Sequence, residues 1–189
     1  MERTAAALEK LRPVRLEPRK GRAAVACMLR ERAGGLELFV IRRAEKIEDP
    51  WSGHMALPGG GRETGDKDAY DTARRETLEE VGIDIAEGRF LGHLDDVGPR
   101  MMPGQLVVST VVVAIDAEPG RLDPQEVAEA FWVPVDRLVD EHVEIPDFPG
   151  SWPAFTYKDH YVIWGLTHRI LTQLWASITY GAAGSRERR

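Results

Sequence analysis

The chain has 189 residues, of which 43% are hydrophobic and 30% are charged, and its formal net charge is −6 at pH 7. This size and composition are typical of one globular domain with a sizeable core. The acidic balance argues against a general nucleic-acid binder or a binder of anionic membranes, because both carry a basic surface. It does not exclude a small anionic substrate, since a bound metal ion can reverse the local field.

Cysteine content and the N-terminal residues bear on the compartment and the partners. Cys27 is the single cysteine of the sequence, so no disulfide can form within the chain, and we expect a reducing, cytoplasmic environment. The first residues lack the apolar region of a secretory signal, and no apolar segment approaches the ~20 residues that span a bilayer. We therefore expect neither a membrane nor a nucleic acid among the partners.

The first part of the chain predicts a hairpin. Residues 1–20 carry mixed charges and predict an N-terminal arm or a loose helix. Two apolar runs, at 22–30 and 36–43, predict strands joined by a glycine turn. A loop over 44–53 then leads towards a second glycine turn.

The second part of the chain predicts a sheet covered by a helix. The run at 106–115 is β-branched and almost wholly apolar, so it predicts a central strand. Strands and helices in this order predict an α/β fold with an α/β/α layering, in one domain over 21–180 with a flexible tail over 181–189. The other predicted elements are strands at 89–97 and 126–133, a short helix at 134–139, a proline-rich loop at 144–152, a hairpin at 154–162 and a last helix at 164–180.

The most informative stretch runs from Pro58 to Ile83 and reads PGGGRETGDKDAYDTARRETLEEVGI. Its three consecutive glycines allow the backbone to approach a ligand closely. The following run predicts a helix over 68–81, with Asp66 or Asp68 as its N-cap and Gly82 just past its end.

The carboxylates of this helix lie where they oppose its stability. Glu76 and Glu80 share one face, and Glu79 lies one step round, beside Arg75 at the spacing of an ion pair. Like charges at this spacing cost roughly 0.2–0.5 kcal/mol, and anions in the last turn cost roughly 0.3–1 kcal/mol each. A solvated acidic face is one interpretation, and a bound divalent cation such as Mg²⁺ is the other.

This stretch resembles the Nudix box, G-x5-E-x7-R-E-U-x-E-E-x-G-U, in which U is apolar. Two positions depart from the pattern. Thr77 stands at an apolar position, and Lys67 stands at the isolated glutamate, with Asp66 one residue earlier as a candidate replacement. The matching residues are Gly61, Arg75, Glu76, Glu79, Glu80, Gly82 and Ile83.

The resemblance implies a Nudix-type α/β/α sandwich with a mixed central sheet, and hydrolysis of a nucleoside diphosphate linked to another group. It implies Mg²⁺, or Mn²⁺ as an alternative, held by Glu76 and Glu80, with Glu79 and the backbone carbonyl of Gly60 or Gly61 as further metal ligands. The implied catalytic residues are these three glutamates together with Arg75, which orients Glu79.

The general base is open at this stage. Glu79 is one candidate, and a glutamate from a later loop is the alternative. The later candidates are Glu126, Glu129, Glu141 and Glu144.

The sequence also resembles the coenzyme A diphosphatase branch of the family. The strand that ends at Arg43, the turn Leu57–Gly60 and the segment Ile163-Trp164-Gly165 before Thr167 carry this likeness. Two departures, Ile41 for a threonine and Glu48 near the place of a second arginine, leave ADP-ribose, a dinucleotide or a nucleoside triphosphate as alternatives. A catalytically weak nucleotide-binding module is the alternative of another class.

Substrate contacts are expected from four residues. The guanidinium fork of Arg43 suits a phosphate. Trp51 either stacks on a base or covers the core, and the sequence does not separate these roles. Gly60 and Gly61 allow a diphosphate to approach the backbone. The expected partner is a small-molecule nucleotide, and a homodimer is a further expectation from the family.

Overall fold

The structure is a computed structural model. It describes residues 1–18, 20–47, 51–100, 104–158 and 160–183, with the backbone alone for 180–183. The helices are α1 (Glu2–Leu8), α2 (Ala69–Val81) and α3 (Gly165–Ala183). The strands are β1 (Gly21–Arg32), β2 (Gly35–Arg43), β3 (Met55–Ala56), β4 (Gly59–Gly61), β5 (Arg89–His93), β6 (Leu106–Ala114), β7 (Val127–Pro134), β8 (Val139–Ile145), β9 (Phe148–Tyr157) and β10 (Tyr161–Trp164).

Within the described residues, seven strands form the central sheet, in the order β3-β2-β1-β6-β5, with β4 paired to β1 and β7 paired to β2. Strands β1 and β6 are parallel, from Gly21 opposite Leu106 to Leu29 opposite Ala114. The other pairs in this sheet are antiparallel. The sheet is therefore mixed, and β1 lies at its centre with three neighbouring strands.

The two faces of the central sheet bury two separate apolar cores. Alternate side chains of β1 point to opposite faces, so Cys27 and Leu29 lie in one core while Ala26 and Met28 lie in the other. Helices α1 and α3 cover the first face, and α2 covers the second. This arrangement confirms the predicted α/β/α sandwich.

The N-terminal segment takes part in the packing. Helix α1 packs against α3, and its Ala5 and Leu8 are buried in the core. The domain boundary near residue 20 stays a prediction. At the other end, α3 continues to Ala183, three residues past the predicted end, and the rest of the predicted tail lies outside the described residues.

A second sheet of the described chain corrects the prediction for 144–152. Strands β8, β9 and β10 form it, and the predicted proline-rich loop lies mostly in the β8–β9 hairpin. Proline is tolerated here because β10 pairs only with Ala154–Tyr157, which leaves Pro149 and Pro153 with β8 as the single neighbouring strand. The predicted hairpin at 154–162 is present as β9 and β10, with its turn partly outside the described residues.

Two other predictions were inaccurate in extent. The short helix predicted at 134–139 is a 3₁₀ turn over Val135–Arg137, after which β8 begins. The strand predicted at 89–97 is β5, which ends at His93, and Val97 then forms an isolated bridge with Val108. None of the described helices has the length and apolar character needed to cross a membrane.

Candidate functional site

Helix α2 begins and ends at the predicted signals. The Asp68 carboxylate accepts hydrogen bonds from the backbone N–H groups of Tyr70 (2.8 Å) and Asp71 (3.0 Å). Gly82 follows the helix with a φ of 67°, and its N–H donates to the carbonyl of Leu78. Asp68 is thus the N-cap, and the left-handed glycine ends the helix just after its glutamates.

The triple glycine forms β4, which pairs with Ala23–Val25 of β1. A Cβ on Gly59 would lie 2.2 Å from the carbonyl oxygen of Ala24, and a Cβ on Gly60 would lie 2.5 Å from the Glu76 carboxylate. Both distances are too short for any side chain. The absence of side chains on β4 therefore lets the glutamates of α2 lie directly against its backbone.

Glu80 is a buried carboxylate, 5% exposed, which accepts a hydrogen bond from the N–H of Gly59 at 2.9 Å. Its burial raises its pKa to about 7, and the negative charges of Glu76 and Glu126 also raise it. The Gly59 N–H and the positive charge of Arg43 lower it. The ionised form of Glu80 thus lacks full compensation, and a cation beside it would supply the missing charge.

Glu76 and Glu79 share the guanidinium of Arg75. Nη1 of Arg75 donates to Glu76 at 2.9 Å and to Glu79 at 3.2 Å. Glu76 is half-buried, and its burial raises its pKa. The Glu79 side chain is 59% exposed, so it lies at the solvent edge of the group. The i, i+4 ion pair between Arg75 and Glu79 is present as the spacing predicts.

Asp66 holds the other side of Arg75. Its carboxylate accepts hydrogen bonds from Nε (3.2 Å) and Nη2 (3.0 Å) of Arg75, and also from the Thr72 hydroxyl and the Glu63 N–H. These donors keep the pKa of Asp66 far below its usual range, with Arg75 as the largest cause. Nη2 of Arg75 also donates to the carbonyl of Gly61 at 2.9 Å.

The structure thereby locates the residue that faces Arg75 from the preceding loop. Asp66 is buried against the arginine, whereas Lys67, at the place of the isolated box glutamate, is exposed. The sequence contained one signal for this, a carboxylate one position before the expected one. Because its carbonyl already accepts from Arg75, Gly61 is a weaker candidate metal ligand than Gly60.

The donor set fits a hard divalent cation. The Glu76 carboxylate lies against Gly60 and the Glu80 carboxylate accepts from the N–H of Gly59, and Mg²⁺ commonly takes one or two carboxylates while it keeps several waters. Among the described residues, no three Asp, Glu, His or Cys side chains are placed to hold one ion. The pair Glu76 and Glu80 is therefore the core of the candidate site, and the role of Glu79 as a ligand stays a prediction.

Of the predicted substrate-binding residues outside β4, Arg43 is the one whose charge reaches the carboxylates. Arg43 is the last residue of β2, its backbone N–H donates to the carbonyl of His54, and its charge acts on Glu80. Trp51 is 43% exposed, and its stacking on a base stays a prediction. Glu48, near the place of the missing arginine, lies outside the described residues.

The later glutamates differ in their distance from the site. Glu126 is close enough to Glu80 to raise its pKa, and it forms an ion pair with Lys46 at 2.6 Å. Glu129 instead binds Arg42 at 2.7 Å and accepts from the Tyr161 hydroxyl at 2.6 Å. Glu141 and Glu144 lie on β8 in the second sheet. Glu126 is therefore the later glutamate that the structure brings to the site.

Known proteins resemble both the sequence and the fold. The chain is 31% identical over 183 residues to Nudix hydrolase 22, chloroplastic, of Arabidopsis thaliana. This alignment covers 91% of this chain and 59% of that protein. It is 30% identical over 160 residues to the human mitochondrial coenzyme A diphosphatase NUDT8. This second alignment covers 81% of this chain and 67% of that protein. The chain spans 33%, 59% and 61% of the lengths of three curated relatives that it matches.

A solved structure agrees at the level of the fold. The crystal structure of a MutT/nudix family protein from Enterococcus faecalis has a TM-score of 0.52 at 20% identity, and the match covers 94% of this chain and 65% of that chain. A family model, the NUDIX domain, matches residues 20–153, which include the glycine strand, α2 and all the glutamates discussed above. With this match over most of its length, the chain belongs to the Nudix family.

Proposed function

We propose that the chain is a metal-dependent hydrolase that cleaves the diphosphate of a nucleoside diphosphate linked to another group, with coenzyme A or its derivatives as the first candidate substrate. The observation that carries this proposal is the placement of Glu80. A buried carboxylate with a raised pKa lies beside a second carboxylate, against a backbone that has no side chains.

The chemistry requires positive charge at this place. A diphosphate repels a hydroxide or any other anionic nucleophile, so neutralisation and positioning account for most of the acceleration of phosphoryl transfer. When bound, Mg²⁺ or Mn²⁺ would neutralise the phosphate oxygens and acidify a water molecule. In this chain, Glu76 and Glu80 would hold the cation, and the open backbone of Gly60 would let the diphosphate approach.

The remaining residues have supporting roles. Arg75 fixes Glu76 and Glu79 through one nitrogen, while its other two nitrogens bind Asp66. Arg43 would bind a phosphate of the substrate, because its charge lies near Glu80 and its fork suits phosphate oxygens.

Two glutamates remain as candidates for the general base. Glu79 is exposed at the edge of the group, and Glu126 lies near enough to Glu80 to raise its pKa. Separate Glu79→Gln and Glu126→Gln variants would distinguish them, because loss of the base lowers kcat at saturating metal, with little change in KM.

The choice of coenzyme A is supported by the likeness to the diphosphatase NUDT8 and by the segments around Arg43, Pro58 and Trp164. ADP-ribose, dinucleotides and nucleoside triphosphates are the competing substrates. The proposed partner is thus a small nucleotide, in the cytoplasm. A homodimer is the proposed assembly, which light scattering of the purified chain would test.

The experiment is a substrate panel with the full chain and Mg²⁺, with products separated by chromatography. We expect coenzyme A to yield adenosine 3′,5′-bisphosphate and phosphopantetheine. Glu80→Gln should lower turnover at least a hundredfold, whereas Glu87→Gln, an exposed glutamate beyond the helix, should not. If no diphosphate compound is turned over but nucleotides still bind, the chain is a binding module and the proposal is wrong.

A further inference from the structure

A cavity of about 260 Å³ lies at the N-terminal end of α2, away from Glu80. Asp68, Ala69 and Thr72 of the helix form one wall, and the starts of β1 and β6 with the end of β5 form the other. Thr72 precedes Glu80 by about two turns, or ~12 Å along the helix axis. Neither Glu76 nor Glu80 lines this cavity, so it is a site separate from the carboxylate pair.

The cavity is basic in a chain whose net charge is negative. Four cationic side chains line it, Arg15, Arg22, Arg62 and Lys67, against the single carboxylate of Asp68. A more open cavity of about 440 Å³ adjoins it, shares Arg22 and Arg62, and adds Lys20 and Glu63 to its lining. The two cavities together form a basic groove beside the loop that connects β4 to α2.

Two of the four cations are not neutralised by acidic partners. The Arg62 guanidinium donates to the backbone carbonyls of Asp66, at 3.0 Å, and Lys67, at 2.6 Å. Arg15 pairs with Asp96 and Arg22 pairs with Glu17, whereas within the described part of the chain neither Arg62 nor Lys67 has a carboxylate at ion-pair distance. The Asp68 carboxylate already accepts two N–H groups as the cap of α2. The charge of this wall is therefore available to an anion.

The inner wall of the cavity is held by hydrogen bonds to Asp96 and contains one ring nitrogen without a partner among the described residues. Asp96 holds Arg15 at 2.9 Å, and also accepts from the Ser109 hydroxyl and the Leu16 N–H. Nδ1 of His93 is buried and has no hydrogen-bond partner among the described residues. Burial first, and then the charge of Arg15, lower the pKa of His93, while the backbone of Thr110 and the carboxylates of Asp68 and Asp96 act in the opposite direction. A bound anion would satisfy this wall by bringing acceptor oxygens and negative charge.

We propose that this basic cavity binds a phosphate dianion, as free phosphate or as a phosphate monoester on a larger molecule, at a site distinct from Glu76 and Glu80. A water molecule occupies about 30 Å³ of liquid, so the cavity holds a phosphate group with several waters. Nε and Nη2 of Arg62 are held by the carbonyls of Asp66 and Lys67, so Nη1 of Arg62 and the ammonium of Lys67 are the donors that would reach phosphate oxygens. The proposal stands on the cavity and its charges, and does not depend on the hydrolase activity.

The test is calorimetric titration of the full chain with inorganic phosphate, in the presence and absence of Mg²⁺. We expect saturable binding in both conditions, weakened about tenfold or more by the Arg62→Gln/Lys67→Gln double variant. Lys10→Gln/Arg137→Gln removes the same charge from two exposed residues outside the cavity and should bind phosphate as the wild type does. Lys67→Gln alone preserves the hydrogen bonds of Arg62 to the loop. This single variant replaces the double variant in the titration if the loss of those bonds prevents folding.

A second measurement locates the ligand. The pKa of His93, followed by NMR, should rise when phosphate is added, because the anion offsets the charge of Arg15 while Asp68 and Asp96 keep their partners. Titration with glycerol phosphate separates the two sources of the phosphate group. If glycerol phosphate binds as tightly as inorganic phosphate or more tightly, the ligand is a phosphate monoester. If inorganic phosphate binds and glycerol phosphate does not, the ligand is free phosphate. The proposal is overturned by no saturable binding, by equal weakening in the control variant, or by a constant His93 pKa.

Discussion

Asp66 and Arg75 are joined by two charge-assisted hydrogen bonds, from Nε and Nη2 of the arginine to the two carboxylate oxygens. The pair connects the loop after β4 to the middle of α2. Because the remaining nitrogen of Arg75 binds Glu76 and Glu79, the position of both glutamates depends on a carboxylate outside the helix.

Asp66→Asn should therefore destabilise the fold. The amide keeps the shape of the side chain, but it cannot accept all four donors and it leaves Arg75 short of a counter-charge. We expect a loss of about 1–3 kcal/mol in the free energy of unfolding, measured by urea denaturation. Asp136→Asn changes an exposed carboxylate and should have little effect. Equal stabilities of wild type and Asp66→Asn would show that the pair contributes nothing.

The contribution of Asp66 should depend on pH in a defined direction. Its pKa is lowered in the folded state, so the unfolded chain binds the proton first as the pH falls. The stabilisation is fully present above about pH 5 and decreases as the pH falls through the ordinary range of an aspartate, near 3.9. The stability difference between wild type and Asp66→Asn should shrink over that range. A constant difference from pH 6 to pH 3 would contradict the assigned ion pair.

Mg²⁺ should stabilise the wild type against heat and should not stabilise Glu80→Gln. A ligand that binds the folded state at a hundred times its Kd adds about 2.7 kcal/mol. In a chain of this size each kcal/mol raises Tm by about 2–4 °C. Scanning calorimetry with and without Mg²⁺ measures this difference, and Glu87→Gln is the matched control. A Tm increase of the same size in Glu80→Gln would place the cation elsewhere.

Gly60→Ala should impair cation binding. Its Cβ would overlap the Glu76 carboxylate, so the glutamate must turn away from the backbone of β4. The atoms that this Cβ meets are the end of a flexible side chain, so we expect only a small loss of stability. Gly65→Ala is the control, because a Cβ there meets no atom within 4 Å. Thermal unfolding and Mg²⁺ titration of both variants measure the effects. Similar Mg²⁺ affinities in the two variants would mean that this close contact is not required.

The sequence predicted those features that depend on local chemistry. Asp68 and Gly82 mark the two ends of α2, and the sequence predicts them because helix caps act within one turn of the chain. Strand β6 was recognisable from its β-branched residues. The β8–β9 hairpin was missed because its prolines lie on a part of β9 that has a single neighbour, which no local pattern reveals. The basic cavity depends on side chains from five separate segments, and only the packed fold brings them together.

The parallel pairing of β1 with β6 also affects how the chain folds. Gly21 pairs with Leu106, and the chain between them contains the glycine strand, α2 and β5. The pairing therefore closes a long loop, and it can form only after all of this segment has been synthesised. Folds dominated by such distant contacts reach the native state slowly, and an unpaired strand edge stays open to other chains in the meantime. Since β4 pairs with β1 and not with β6, alignment of the carboxylates that face β4 requires the shorter β1–β4 closure, and a nascent chain could gain its cation affinity before β6 is added.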